Sequence, residues 1–581
     1  DEQLPMELTL VGRIIEGAQT RVEGANFDSR KHLLEYDDVL NSQRQTVYNQ
    51  RDLIFTKEDL SDNVLEMLES EINLRVPGAA SDEESPWKLL AWLEQIQPTF
   101  ATPDGYYPSF TFKLLLDDLK SRPHETPAQV IDALVAIADE SIEAHKEHIL
   151  NGAMTSLDWY EEHLDTQLDE RLDLVDTFFE SLRYMDETDS RSGRELMDEV
   201  AALTRLPIRF SNSEQRLFLD DPDTAEEMVR EQVENALTTQ TIVRLLGALD
   251  RRLPEDLNLN AGDLNGDDWK ALGQQILDRV EEMYQKRRER FLSDDQTGSI
   301  ARQLQELIGD NGRKLNDSQI IAAMSAITQE QVTSFDKKTH KRIKVRKSRF
   351  SYLYYAANLI ADLSAEEITQ MVADHLLKAY QVNIMVWGQL VWRQVSHQVR
   401  FAHLPEEMQA YLTKNLGADV IAKYEDESLS KYPFETHETL MRALGRRELT
   451  EAYRGLILRV ISELWIEYLT KMEALRISIG LEAYAQRDPL VAYKSQASEM
   501  FQNLFSDMQA SVVNKMFTYR PRVTVTAPVE QSPELDETGE TAEAEPENGG
   551  QAEEQKTPQA EVTSGDSRQD TSKKKKRRRR R

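Results

Sequence analysis

The chain has 581 residues, 40% hydrophobic and 30% charged, enough apolar surface for several cores beneath a heavily solvated exterior. Asp and Glu outnumber Lys and Arg by 103 to 70, so the formal charge is -33 and the average surface repels nucleic acid and anionic membrane. The absence of cysteine excludes disulfides, thiolate zinc sites, iron–sulfur clusters and a cysteine nucleophile, and no apolar run reaches the ~18 residues of a membrane-spanning helix.

Apolar residues recur at three- and four-residue spacing along most of the chain, which predicts an all-α fold. No basic segment followed by an apolar one opens the sequence, and the first residue is Asp1, a start expected of a fragment or a processed product. Leu33, Tyr36, Leu40 and Val47 follow a helical stripe, preceded by Ile15, Ala18 and Val22, and no proline intervenes between Pro5 and Pro77. One long amphipathic helix over about 8–52 is therefore expected, weakened but not ended by Gly24. Further helices follow, punctuated by expected turns at Pro77-Gly78, Pro103-Asp104-Gly105 and Asp310-Asn311-Gly312. One β signal, between 332 and 347, predicts a hairpin turning at Asp336–Thr339. From Glu451 to Phe517 two periodic helices return, the first marked by Trp465, Leu469, Met472 and Leu475, the second by Tyr493, Met500, Leu504 and Met508. Residues 522–572, with 13 acidic and 3 basic side chains and few large apolar ones, read as a disordered acidic linker, and Lys573–Arg581 are all basic.

Three smaller constellations each leave two readings. Lys337, Lys338, Lys341, Arg342, Lys344, Arg346, Lys347 and Arg349, followed by Phe350, Tyr352, Tyr354 and Tyr355, suit RNA, ribosome or lipid headgroups, or else an exposed hairpin paired with the protein's own acidic surface. Asp256, Asn258, Asn260 and Asp267 occupy positions 1, 3, 5 and 12 of a calcium loop, yet Ala261 replaces its glycine and Asp267 its bidentate glutamate, so a helix-capping loop competes. His145 and His148, beside Glu143 and Glu147, are either a partial zinc pair or part of a solvated helix face.

The run from Val22 to Val39 (Val-Glu-Gly-Ala-Asn-Phe-Asp-Ser-Arg-Lys-His-Leu-Leu-Glu-Tyr-Asp-Asp-Val), continued by Gln43-Arg44, Tyr48 and Arg51, resembles the signature of SecA preprotein translocases. In that family it lies on the long helix of the helical scaffold. Leu464–Leu469, Tyr484-Ala-Gln-Arg-Asp-Pro489, Tyr493-Lys494 and Met500-Phe501 resemble the family's two-helix finger. Between the matches lies a region in the place of the helical wing but several times longer.

The resemblance implies a scaffold helix over 1–55, an enlarged wing over 56–445, a two-helix finger over 446–520, an acidic linker over 521–572 and a polybasic tail over 573–581. Its implied signature residues are Asn26, Phe27, Asp28, Arg30, Lys31, Leu34, Glu35, Tyr36, Asp37, Asp38, Arg44 and Tyr48, with Trp465 and Leu469 packing the finger. Tyr484 and Arg487 correspond to the fingertip that contacts polypeptide, although Glu482-Ala483 stands where an Arg-Gly pair is common. An aromatic there grips any sequence through its apolar face and polar tip; alternatively it merely packs the turn.

No Gly-x-x-x-x-Gly-Lys-Ser/Thr occurs, so this chain is expected to carry no catalytic, cofactor or metal residues and not to hydrolyse ATP alone. ATP and Mg would belong to motor domains on the same or a separate chain. The implied function is to couple motor movement to preprotein transport through a SecY-type channel, at the inner face of the cytoplasmic membrane. The implied partners are those motor domains, the channel, unfolded preprotein and anionic lipid, reached by Lys573, Lys574, Lys575, Lys576, Arg577, Arg578, Arg579, Arg580 and Arg581. Docking of the chaperone SecB through the family's cysteine-built zinc motif is not expected. The alternative is a motor-less helical scaffold or binding protein with a basic RNA- or lipid-binding segment.

Overall fold

The computed structural model describes residues 9–80, 86–184, 191–264, 268–292, 298–309, 313–335, 340–395, 400–424, 427–479 and 488–519. It is predominantly α-helical, with two small antiparallel strand pairs. Helix α1 (Thr9–Thr56) is the long proline-free helix that the stripe predicts. It is followed by α2 (Ser61–Ala80), α3 (Trp87–Ile96), a hairpin of β1 (Phe100–Thr102) and β2 (Gly105–Tyr107), and α4 (Phe110–Ser121). Then come the 57-residue α5 (Pro127–Arg183), α6 (Gly193–Thr204), α7 (Glu214–Asp220), α8 (Pro222–Asp250), α9 (Trp269–Phe291), α10 (Ser299–Ile308) and α11 (Asp317–Ile327). A second hairpin, β3 (Gln329–Phe335) with β4 (Arg342–Ser348), precedes α12 (Leu353–Asn358), α13 (Ala365–Val395), α14 (Glu406–Leu416) and α15 (Ala418–Tyr424). The last two, α16 (Phe434–Ser478) and α17 (Pro489–Met516), form the returning pair.

Local chemistry sets many of these ends. Capping boxes start α5 (Thr126 with Gln129) and α6 (Ser192 with Glu195), satisfying otherwise orphaned amides. Pro127 occupies the first turn of α5, where no amide donor is needed.

The expected turn at Pro77-Gly78 is corrected: α2 runs through both to Ala80. A proline in the last turn gives up only one helical hydrogen bond, and Val76, one residue earlier, is fully buried, so packing keeps the segment helical. Pro103-Asp104 does turn, but inside an unanticipated hairpin pairing Phe100 with Tyr107 and Thr102 with Gly105. Gly105 has φ +143, and a Cβ there would lie 1.9 Å from Ser318 Oγ, which accepts a hydrogen bond from the Tyr106 amide. Asp310-Asn311-Gly312 and Asp336–Thr339 lie outside the described residues.

Among the described residues there are four hydrophobic cores. The first joins the C-terminal half of α1 to α2, α3, α12, α13, α16 and α17. The second packs α4, the first half of α5, α9, α10, α11 and the end of α8 around Leu134, Ile137, Leu272, Ile276 and Met324. The third joins the far part of α5 to α6, α7 and the start of α8 through Phe179, Phe218 and Val229. The fourth gathers residues 401–444 around Leu412, Leu429 and Leu440. Where α13 crosses α16, two glycines let the backbones touch: Cβ atoms on Gly388 and Gly445 would each sit 1.9 Å from a carbonyl, of Met441 and Ile384 respectively.

Candidate functional site

The stripe on α1 meets both helices of the α16–α17 pair. Tyr36 packs edge-on against Tyr493 with ring centroids 4.6 Å apart, and Val47 and Ile54 are buried in the shared core. Gln43, at the stripe position between Leu40 and Val47, is buried too. Tyr468 of α16 donates to Gln43 Oε1 at 2.7 Å, while Gln43 Nε2 donates at 3.2 Å to the carbonyl of Ala497 on α17. One amide side chain thereby ties three helices, each satisfying a buried polar group of another. Trp465 stacks on Tyr468 at 5.3 Å, and Leu469 is half-buried beside them.

At the end of α1, Arg454 donates from Nε to the Ile54 carbonyl (3.2 Å) and also to the Lys57 carbonyl. A helix leaves its last carbonyls without partners, and a guanidinium there satisfies them and complements the negative end of the dipole. Burial raises the Tyr36, Tyr468 and Tyr493 phenols above their ordinary value, so all three stay neutral, and Tyr468 keeps the proton it donates to Gln43.

The other half of α1 differs. Asn26, Phe27, Arg30, Lys31 and Leu34 are exposed, as are Ile14, Ile15 and Val22. The five large apolar side chains at 14, 15, 22, 27 and 34 show 53% to 66% of their surface. Glu35 is half-buried, Asp37 and Asp38 are exposed, Arg44 donates to Asn41 Oδ1 at 3.3 Å, and Tyr48 is exposed at the far end. The backbone of Asp28 is helical; its side chain lies outside the described residues. So do Tyr484 and Arg487 at the fingertip and Lys573–Arg581. Of the described signature side chains, Tyr36 packs on Tyr493, and Glu35 and Asp38 line a cleft with Lys494, Ser498 and Phe501 of α17. Gln43 stood in the resemblance without a role, and its signal was a polar residue inside an apolar stripe. Arg454 left no such signal, because a lone arginine on a helix is ordinary.

The remaining constellations resolve differently. His145 and His148 do not form a solvated face: both stack on Tyr354, at 4.9 and 4.3 Å, and Trp87 closes on His148 at 5.2 Å. Burial, with His148 and Arg287 nearby, lowers the His145 pKa to about 4. A cleft of about 1080 Å³ opens beside them, lined in part by Trp159 and Arg252. Around the calcium-like loop, Asn260 donates to Asp263, Asn258 donates to the Asp256 carbonyl, and Asp268 caps α9 by accepting from the Ala271 amide; Asp267 lies outside the described residues. Among the described residues no group of three or more His, Asp or Glu is placed to hold a metal, and no helix is long and apolar enough to cross a membrane. Arg349 is structural: it is buried, with its guanidinium on Gln303 Oε1 at 2.6 Å. Lys341, Arg342, Lys344, Arg346 and Lys347, by contrast, make no ion pair with any described acidic residue.

The long helix α1 is thus half committed to the returning pair α16–α17, with the other helices of the chain lying between them in sequence. Residues 5–189 and 281–520 match the family described as SecA Wing and Scaffold domain, and the chain belongs to that family. The unmatched stretch, 190–280, supplies α6, α7, α8 and part of α9, hence most of the third core. Among similar curated proteins is the protein translocase subunit SecA of Pelotomaculum thermopropionicum, 43% identical over 109 residues, covering 18% of this chain and 12% of that protein. That of Syntrophus aciditrophicus is 36% identical over 165 residues (26% and 20%), and that of Chloroflexus aurantiacus 30% over 222 residues (35% and 22%). The chain thus matches about a fifth or less of the length of these relatives. No solved structure matches it.

Proposed function

We propose that this chain is the wing-and-scaffold part of a SecA-type protein translocase, coupling motor movement to preprotein passage through a SecY-type channel. The observation that carries the reading is the two-part character of α1: one half is fixed to the α16–α17 pair through Gln43, Tyr468 and Ala497, and the other leaves Ile14, Ile15, Val22, Phe27 and Leu34 exposed. A motor packing on that exposed half would move α1, and the shared core would pass the movement to the pair and its tip at Tyr484 and Arg487. ATP and Mg would bind in the motor, and this chain alone would neither bind nor hydrolyse nucleotide.

The test is transport into proteoliposomes by the complete enzyme carrying Tyr484→Ala. Transport falls while basal ATPase and folding persist, and Tyr484→Phe, which keeps the aromatic face, loses much less. Equal transport by Tyr484→Ala at matched folded concentration removes the fingertip from the mechanism.

A further inference from the structure

The β3–β4 ribbon has one face that the translocase reading does not use. Cross-strand partners share a face, so the pairs Gln329–Ser348, Gln331–Arg346, Thr333–Lys344 and Phe335–Arg342 lie together. All eight of these side chains are exposed, whereas Glu330, Val332, Ser334 and Val345 on the other face are half-buried. The exposed face therefore holds three cations, one aromatic and four neutral hydrogen-bonding groups, and no acid, on a protein of net charge -33. The acid of β3, Glu330, points to the other face and is engaged by Arg290 at 3.2 Å and Arg349 at 3.8 Å.

Arg342, Lys344 and Arg346 alternate along β4, so their side chains project in one row roughly 7 Å apart. Phe335 ends the row on the neighbouring strand, with the Arg342 guanidinium 5.6 Å from its ring centre. Cations in a line, an aromatic and amide or hydroxyl groups between them form the combination that follows a phosphate backbone and stacks a base. A membrane surface suits this face less well, because one apolar side chain in eight leaves almost nothing to bury among lipid tails. The repulsion of the acidic body is screened beyond about 8–10 Å at ordinary salt, and the acid of the ribbon itself, Glu330, is already paired with arginines on the other face.

We infer that the exposed face of the β3–β4 ribbon binds single-stranded RNA, with Arg342, Lys344 and Arg346 on successive phosphates and Phe335 against a base. This goes beyond the translocase reading and stands or falls apart from it.

The test is fluorescence anisotropy with a labelled mixed-sequence 12-nucleotide RNA, using the full chain and a chain lacking Lys573–Arg581, whose own charge would bind RNA. In both, the triple change Arg342→Gln, Lys344→Gln, Arg346→Gln removes the ribbon's contribution. In the tail-less chain the logarithm of affinity falls with that of salt with a slope of about -2, as three neutralised phosphates require. Phe335→Ala weakens binding roughly tenfold, and it serves alone if the triple variant shows an altered melting temperature. Unchanged RNA binding by the triple or Phe335→Ala variant in the tail-less chain overturns the inference. So does a loss confined to anionic vesicles, or displacement of RNA by polyglutamate at equal charge, which would assign the face to a membrane or an acidic polypeptide.

Discussion

Replacing Tyr468 with phenylalanine isolates the hydrogen bond that joins the long helix to the returning pair. The ring keeps its stack on Trp465 at 5.3 Å and its contact with Phe501 at 5.8 Å, so packing is preserved. What disappears is the donor to Gln43 Oε1, leaving an acceptor stranded on a side chain that is only 8% exposed. Stranding one buried polar group costs about 1–3 kcal/mol. Gln43→Met costs a similar amount, because the Tyr468 hydroxyl then retains only a weak partner in the Ala497 carbonyl at 3.4 Å. With both changes most of the stranded groups are gone, and the double variant is less destabilised than the sum of the singles by about 1–2 kcal/mol. The assay is hydrogen exchange of amides in residues 36–54, with residues 225–249 as internal control; those residues of α8 belong to other cores. Faster exchange in α1 alone, with a non-additive double variant, is the expected result. Additive effects, or equal acceleration in both segments, would refute the claim that this node couples the helices.

Three further outcomes follow from the same structure. Gly445→Ala, which places a Cβ 1.9 Å from the Ile384 carbonyl, destabilises by about 1–3 kcal/mol in urea unfolding, while Gly247→Ala in α8, with open space around it, is neutral or stabilising by up to about 1 kcal/mol. His375, buried with Nε2 on Gln97 Oε1 at 2.7 Å, has its pKa lowered to about 3 by burial, with Lys113 and Lys378 adding to the effect. A lowered histidine pKa means that the unfolded chain binds the extra proton, so the stability is complete above pH ~6.5 and lost as pH falls toward 3. His375→Gln accordingly flattens the pH dependence of the urea midpoint between pH 6.5 and 4, and an unchanged slope excludes His375 as its source. Deleting Lys573–Arg581 removes most low-salt binding to vesicles rich in anionic lipid, measured by co-sedimentation, with neutral vesicles inert throughout; undiminished binding would place the affinity elsewhere.

Periodicity alone determined the helical class, the extent of α1 and the presence of two long helices near the end, because a 3.6-residue repeat is written directly in the order of apolar side chains. The hairpin between 329 and 348 was legible for the same reason, its β-branched and basic residues alternating with a period of two. The family signature, too, was plain in sequence, yet what its residues do was not: Asn26, Phe27 and Leu34 face solvent, while Gln43 forms the joint with Tyr468 and the Ala497 carbonyl, more than four hundred residues further along the chain. Pro77 shows the converse, a local turn signal overridden because Val76 beside it is buried by distant helices. His145 and His148 became an aromatic stack only because α12 brings Tyr354 between them. Spacing along a chain fixes which face of a helix a residue occupies. Which other face it meets depends on how helices cross, and that is settled by long-range shape, such as the glycine contact of α13 with α16, which no local pattern encodes.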